Sequence, residues 1–261
     1  LTMGPITQQF EEKWANYIGT KRSVFVNSGS SANTLMVYTA IVNGNLSVGD
    51  KVIVPSCGWV TSISPMIQFG LEPIMVDADE NDYGVNFDEV DEICEKNNVK
   101  GIIIVHPLGV PVNKNKIINL KKKHNLFIME DCCASVGAKF GDGKNIGTVG
   151  DMSSYSFYFG HQLSTIEGGM INTSEDELYD KLLALRSHGW TKDLSDSSIE
   201  DLRKSVQFDI ENGAFNFIYS GFNLRSTDLQ AYLGLRQIDK ANEVFRERNK
   251  NHMLYVNNMS N

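Results

Sequence analysis

The 261-residue chain is 41% hydrophobic and 21% charged, an ordinary balance for a globular enzyme and enough apolar content to bury a sizeable core. Its net charge of −8 argues against a nucleic-acid binder, which should be basic, yet a few local donors can still hold a phosphorylated ligand on an acidic chain. It contains no run of about 18 apolar residues, so no membrane span is expected, and no signal peptide is recognisable.

In chain order, strand-like apolar runs at 23–27, 51–54, 73–76, 101–105, 126–130, 153–157 and 169–172 alternate with amphipathic stretches at 8–18, 32–42, 87–97, 114–123 and 175–186. Strands separated by helices of this length predict an α/β fold, with a mixed, mostly parallel sheet covered by helices on both faces. The run GIIIV at 101–105 suits a central strand buried on both sides. The Ser- and Asp-rich segment 193–202 reads as an exposed loop or a short helix. No internal repeat is visible. The four cysteines, Cys57, Cys94, Cys132 and Cys133, include no CxxC pair and read as reduced, mostly buried thiols of a cytosolic protein. The chain starts at Leu1 and stops within a helical pattern, so it is expected to be a piece of a longer protein.

In such sheets ligands collect at the carboxyl ends of the strands, and the motifs fall there. NSGSSAN, at 27–33, follows a strand and opens a helix; Ser30 and Ser31 then form either a phosphate cradle at the positive end of the helix dipole or an ordinary capped helix start. Trp59, in PSCGWVTSI, either borders the same crevice, where it could stack on a planar ring, or is a core tryptophan. FIMEDCCASVGA ends a strand in two carboxylates. Asp131 can keep a pyridine nitrogen protonated or can cap a helix, whereas Glu130 reads as structural. In SFYFGHQLSTIEGGM, Ser156 offers another hydroxyl, and His161 sits at the tip of a turn rich in small hydroxyl residues, Ser164 and Thr165 among them. A lone loop histidine is usually a surface residue; these neighbours, with Glu167-Gly168-Gly169 leading into a strand, make this one unusual.

Taken together, the motifs resemble the DegT/DnrJ/EryC1/StrS sugar aminotransferase family, pyridoxal-phosphate proteins of fold type I. The resemblance runs from LTMGPITQQFEEKWANYIG through SGSSAN, VIVPSCGW, PIMVDAD, IMEDCCASVGA, SFYFGHQLSTIEGG and RSHGW to GFNLRSTDLQAYLGLRQ. It implies that Ser30, Ser31 and Ser156 hold the cofactor phosphate, that Trp59 stacks on its ring and that Asp131 pairs with its nitrogen. It also implies that Asn223 reaches the phosphate of a second subunit, making the active unit a homodimer. Residues 1–240 would form the large cofactor-binding domain, and 241–261 the start of a helix leading to a smaller domain. Ala134 departs from the Gln or His that many members place near the ring hydroxyl.

The larger departure is His161, where aminotransferases of the family carry the lysine that binds the cofactor covalently. Imidazole forms no Schiff base but can act as a base near neutral pH. The same replacement marks a subgroup of nucleotide-sugar 3-dehydratases. The resemblance therefore implies a cytoplasmic enzyme of dideoxysugar and O-antigen biosynthesis that removes the C3 hydroxyl of a nucleotide-linked 4-keto-6-deoxyhexose. Pyridoxamine 5′-phosphate would be the working cofactor, regenerated from pyridoxal 5′-phosphate with L-glutamate, and His161 would take a proton from its C4′ carbon. His188, in RSHGW, matches a second subgroup histidine that lies near the neighbouring subunit's site; otherwise it caps a helix end. An aminotransferase working without its lysine and a non-catalytic cofactor-binding relative remain as alternatives. A related branch carries an iron–sulfur cluster, but nothing in the spacing of these four cysteines supports one.

Overall fold

A computed structural model describes residues 2–205 and 215–259. Seven strands, β1 (Arg22–Val26), β2 (Lys51–Pro55), β3 (Glu72–Val76), β4 (Val99–Val105), β5 (Phe127–Asp131), β6 (Met152–Ser156) and β7 (Gly169–Thr173), form one sheet in the order β1-β7-β6-β5-β4-β2-β3. β7 runs antiparallel to both β1 and β6, while the pairs from β6 across to β3 are parallel. Six strands therefore share one direction, and the carboxyl ends of β1, β2, β4, β5 and β6 lie along one edge.

The helices are α1 (Pro5–Ile18), α2 (Gly29–Val42), α3 (Ser64–Gln68), α4 (Phe87–Lys96), α5 (Lys114–His124), α6 (Asp176–Arg186), α7 (Asp196–Ser205) and α8 (Asp228–Met259). Local chemistry sets several starts. Ser28, Asn86 and Asn113 accept backbone N–H groups from the first turns of α2, α4 and α5. Asn125 ends α5 in the left-handed conformation.

The two faces of the sheet bury separate clusters, as the pleat dictates. Ile102, Ile104 and Ile128 point with Phe25 and Tyr155 into a cluster closed by Phe10 and Trp14 of α1, Val90 of α4, Ile117 of α5 and Ala231 of α8. Their neighbours Ile103 and Met129 face the other way, with Val24 and Val26, toward Leu35 and Met36 of α2 and Leu182 and Leu185 of α6. Each fully buried side chain of this size stabilises the fold by about 1.5–3 kcal/mol.

All seven expected strands are present, each within two residues of its expected ends. The segment 193–202 resolves into a short 3-10 turn and α7. α3 was not foreseen, and the helix expected over 241–261 is the second half of α8, which begins at Asp228. Its buried residues, Ala231, Gly234, Ile238 and Ala241, are confined to its first half.

Candidate active site

β5 delivers Asp131 to the carboxyl edge, where it is only 4% exposed. Its Oδ2 accepts from Asn33 Nδ2 at 2.8 Å and Ser62 Oγ at 2.6 Å, and its Oδ1 accepts from the Cys133 N–H at 3.0 Å. Ser154 Oγ in turn donates to Asn33 Oδ1 at 2.5 Å. Two side chains distant in sequence and one neighbouring backbone N–H therefore converge on the carboxylate and fix its orientation, with Ser154 holding Asn33 in turn, as buried polar groups require.

Glu130 serves the scaffold beneath it. It is fully buried and accepts from the N–H groups of Gly147 (3.0 Å), Val149 (2.8 Å) and Gly150 (2.6 Å) and from His106 Nε2 (3.0 Å). His106 Nδ1 accepts from the Val112 N–H at 3.1 Å, which leaves Nε2 as the protonated nitrogen facing Glu130. Burial alone would raise the Glu130 carboxyl, but the His106 donor and the backbone N–H groups outweigh it and hold it below its ordinary value.

The amino end of α2 meets the end of β6 at Gly29. A Cβ there would lie 2.6 Å from Ser156 Cβ and 3.1 Å from Cys133 Sγ, so only glycine brings the helix start this close. Gly169, opening β7, plays the same part on the other side: a Cβ would meet the Ser28 carbonyl oxygen at 2.2 Å. Ser30 is exposed, with its Oγ 3.5 Å from Thr61 Oγ1. Ser31 is drawn into the cap, its N–H and its Oγ each 3.0 Å from Ser28 Oγ. Ser156 is buried at the strand end. Trp59 is 72% exposed, three residues before the Ser62 that binds Asp131, so it borders the crevice and is not a core residue.

The turn after β6 closes on itself through Phe157 N–H to Gly168 O and Thr165 N–H to Phe157 O, both 2.9 Å. It is docked on α8 by Gln230 Nε2 to Glu167 O at 2.7 Å and by Ser164 N–H to Gln237 Oε1 at 3.3 Å. Ile166 adopts φ 73°, a strained conformation for a β-branched residue. His161 is half-buried at the tip, its ring edge-on to Tyr158 at 5.8 Å. Burial pushes its imidazole below the ordinary value; the Asp131 carboxylate opposes this, and the Arg248 guanidinium adds to it. Gln162 ties the turn to the loop after Asp131, donating Nε2 to the Ala134 carbonyl at 2.7 Å, while its Oε1 is buried with no hydrogen-bond partner.

His188 and Asn223 lie in a second group. Residues 187–191 pair with 216–223 as an antiparallel ribbon, through His188 N–H to Phe222 O (2.6 Å) and Ile218 N–H to Gly189 O (3.0 Å). His188, at φ 65°, is exposed, and Arg225 bridges to it: Nη2 lies 3.4 Å from His188 Nε2, and Nε donates to Asn223 Oδ1 at 3.0 Å. The ribbon is anchored by Arg186, whose buried Nη1 reaches Glu11 Oε1 (2.5 Å) and the Phe25 carbonyl (2.9 Å). Asp131, Ser156, Ser30 and Trp59 thus come together where β5, β6, the α2 amino end and the Val60–Ser62 turn meet, with His161 within electrostatic reach of Asp131, and His188 and Asn223 form a separate exposed cluster. The sequence suggests no role for Asn33, Ser62, Gln162 or Arg225, although all four stand inside the stretches quoted above; the partners that reveal them lie far along the chain.

A polar groove of about 600 Å³, lined among others by Asp50, Lys100, Lys121, His124 and Asp151, lies at the opposite edge, where the strands begin. Lys121 and Asp151 are paired across it at 2.7 Å, and none of the site residues reaches it. We place the site at the carboxyl edge because the convergent buried polar groups are there.

Comparison with known proteins accords with this geometry. GDP-4-keto-6-deoxy-D-mannose 3-dehydratase of Yersinia pseudotuberculosis is 36% identical over 257 residues, 97% of this chain and 64% of that protein. The structure of the E. coli GDP-4-keto-6-deoxy-D-mannose 3-dehydratase with bound hydrated pyridoxal phosphate superposes with a TM-score of 0.87 at 32% identity, covering 98% of this chain and 65% of that one. A structure of a 3-dehydratase of that name with a trapped pyridoxal-phosphate–glutamate geminal diamine gives 0.81 at 32% identity, covering 92% and 62%. The chain thus spans about 64% of the length of the curated relatives it matches. The sheet and its flanking helices have the fold of pyridoxal-phosphate-dependent aminotransferases. With the profile of the DegT/DnrJ/EryC1/StrS aminotransferase family matching residues 1–261, the chain belongs to that family.

Proposed function

We propose that the whole protein is a pyridoxal/pyridoxamine-phosphate-dependent nucleotide-sugar 3-dehydratase, removing the C3 hydroxyl of a nucleotide-linked 4-keto-6-deoxyhexose. One observation carries this reading. The turn after β6 bears His161, a half-buried imidazole within electrostatic reach of Asp131, where the family's aminotransferases carry a lysine.

The residues fit the cofactor. Gly29 lets the α2 amino end approach Ser156 closely, so that the helix dipole and the hydroxyls of Ser30, Ser31 and Ser156 suit a phosphate. Trp59 offers an exposed indole face for the ring. The Asp131 carboxylate, already oriented by Asn33, Ser62 and the Cys133 N–H, suits a protonated pyridine nitrogen. When bound, pyridoxamine phosphate supplies an amine for the 4-keto group and a cationic ring that accepts electrons as the C3 hydroxyl leaves.

The chain's own part is orientation and proton transfer. Asp131 keeps the ring nitrogen protonated. His161, neutral at physiological pH, takes a proton at the C4′ carbon. Gln162 and the α8 contacts fix the turn so that the imidazole does not swing away. With no amine at this position, the cofactor is held by phosphate, stacking and ion pairing alone. His188 and Arg225 extend the polar surface toward a substrate, and Asn223 would serve the phosphate of a second copy, so the working unit is a homodimer. L-glutamate restores the amino form. The second half of α8 leads toward the smaller domain, with residues 1–240 forming the large one. No helix among the described residues is long and apolar enough to cross a membrane, and we place the enzyme in the cytoplasm.

The test is to incubate the full-length protein with a GDP-linked 4-keto-6-deoxyhexose, glutamate and pyridoxal phosphate. Ammonia with a 3-deoxy-4-keto product is expected. An amino sugar as the sole product would assign transamination instead, and binding without turnover would assign a non-catalytic role.

A further inference from the structure

The ribbon beside the active site bears a feature that neither cofactor nor base requires. Trp190 and Phe217 face each other as a cross-strand pair, with ring centroids 5.9 Å apart at 28°. Phe215, two residues along and so on the same face, stacks on Trp190 at 5.5 Å and 7°. The three rings form a ladder of offset, nearly parallel planes. Lys192 lies beside the middle ring, with Nζ 5.0 Å from the Trp190 centroid. A cross-strand aromatic pair ordinarily stabilises a ribbon by covering itself. Here Phe215 is 73% and Phe217 54% exposed, so the ladder ends in open aromatic faces.

Charge separates this surface from the rest. Residues 187–192 and 215–225 contain Lys192 and Arg225 and no carboxylate, in a chain of net charge −8. Two cations flanking open aromatic planes on an acidic protein match a ligand that joins a flat ring system to an anion. His188 lies two residues from Trp190, so such a ligand would lead directly to the site.

We infer that the Phe215–Trp190–Phe217 ladder is the nucleobase platform of the nucleotide-sugar substrate, the purine of a nucleoside diphosphate stacking on its open face with Lys192 turned to the diphosphate. The inference rests on the proposed function, since it assigns one part of that substrate to one part of the surface. Stacking on an aromatic side chain is tolerant of base identity, so the ladder fixes the base as a plane and leaves its edge to other contacts.

GDP alone tests this without turnover, read by tryptophan fluorescence and by calorimetry. GDP quenches the wild-type protein; Trp190→Phe, which keeps an aromatic ring, abolishes the quench while calorimetric binding persists. Trp14 is fully buried and Trp59 lies on the cofactor side, so neither substitutes for that signal. The Phe215→Ala/Phe217→Ala double variant weakens GDP binding about tenfold or more, leaving pyrophosphate affinity and the absorbance of bound pyridoxal phosphate unchanged. Lys192→Gln weakens GDP and pyrophosphate alike. The rings are exposed, so the double variant should keep the wild-type melting temperature.

Unchanged GDP affinity in the double variant overturns the platform, as does equal wild-type affinity for GDP and pyrophosphate. Loss of dimer mass by light scattering, with GDP affinity intact, would reassign the ladder to a subunit contact and also overturn it. The two readings fail separately. A wild-type protein that binds GDP through the ladder but makes no 3-deoxy product contradicts the dehydratase alone, and one that makes the product with KM unaffected in the double variant contradicts the platform alone.

Discussion

The two polar clusters at the carboxyl edge are built on different principles. Around Asp131, donors from α2, the Val60–Ser62 turn and the loop after β5 are buried and mutually satisfied, so the carboxylate is oriented before anything binds. Such preorganisation is where much catalytic power resides, because the dipoles need not reorient during reaction. Around His188, the contacts run between exposed side chains, with Arg225 spanning His188 and Asn223 at 3.4 and 3.0 Å. Arg186 and Glu11 at the ribbon's root are buried, as are Ser187 and Thr191 along it. The contrast teaches that the groups orienting Asp131 are complete within one chain, whereas the neighbouring cluster presents His188 and Asn223 to solvent.

Removing His161 should separate the halves most sharply. His161→Ala is expected to lower ammonia release about 100- to 10,000-fold, the range for loss of a positioned general base. His161→Lys should add a covalent cofactor link, found by mass spectrometry after borohydride reduction, while dehydration collapses. His188→Ala should cost less, because its ring is exposed and its partner Arg225 remains. A His188 variant more damaging than its His161 counterpart would invert the comparison, and unchanged dehydration in His161→Lys would remove His161 as the base.

The next largest effect falls on stability and concerns what lies beneath Asp131. Glu130→Gln leaves three backbone N–H groups and His106 facing an amide, a change that should destabilise the fold by about 3–5 kcal/mol in urea titrations at neutral pH. The carboxyl is held below its ordinary value of 4.5, so its stabilisation is fully present above that value. It is lost as pH falls through the lower folded-state value. The wild-type and variant stability curves should therefore converge on acidification. Parallel curves would mean that Glu130 is not ionised in the fold, and the scaffold under Asp131 would need another explanation.

Legibility in the sequence follows the range of the interaction. The seven strands were readable because each is a short apolar run bounded by turn residues. β4 was the clearest, its 101–105 segment apolar almost throughout and buried on both sides. α3 is a single turn of five residues, too short for any helical period to show. The start of α8 does carry a signal, Ala231, Gly234, Ile238 and Ala241 at helical spacing. Asp131, Ser156 and His161 stand at strand ends or the turn beyond, where position alone nominates them. The residues that orient Asp131 could not be found in this way: Asn33 lies 98 residues from it and Ser62 69, and a hydroxyl in a loop announces no partner. Trp59 was readable as to type and place, but only the fold decided between core and crevice.

The smallest expected effect is also the one most specific to the buried half. His161 must be neutral to accept a proton, and burial, with Arg248 adding and Asp131 opposing, sets its imidazole below the ordinary 6.5. The acid limb of the kcat profile should therefore fall below pH 6.5, so that activity persists where an exposed histidine would already be protonated. Arg248 is exposed and touches the imidazole only through its charge, so Arg248→Gln should move that limb slightly upward without altering the KM for the nucleotide sugar. Salt should produce the same movement in the wild type by screening the exposed guanidinium, and less in the variant, because the buried Asp131 carboxylate is screened far less. An acid limb above 6.5 in the wild type would mean that Asp131 outweighs burial at this imidazole, and the turn would then be more open to solvent than its contacts with Ala134 and α8 imply.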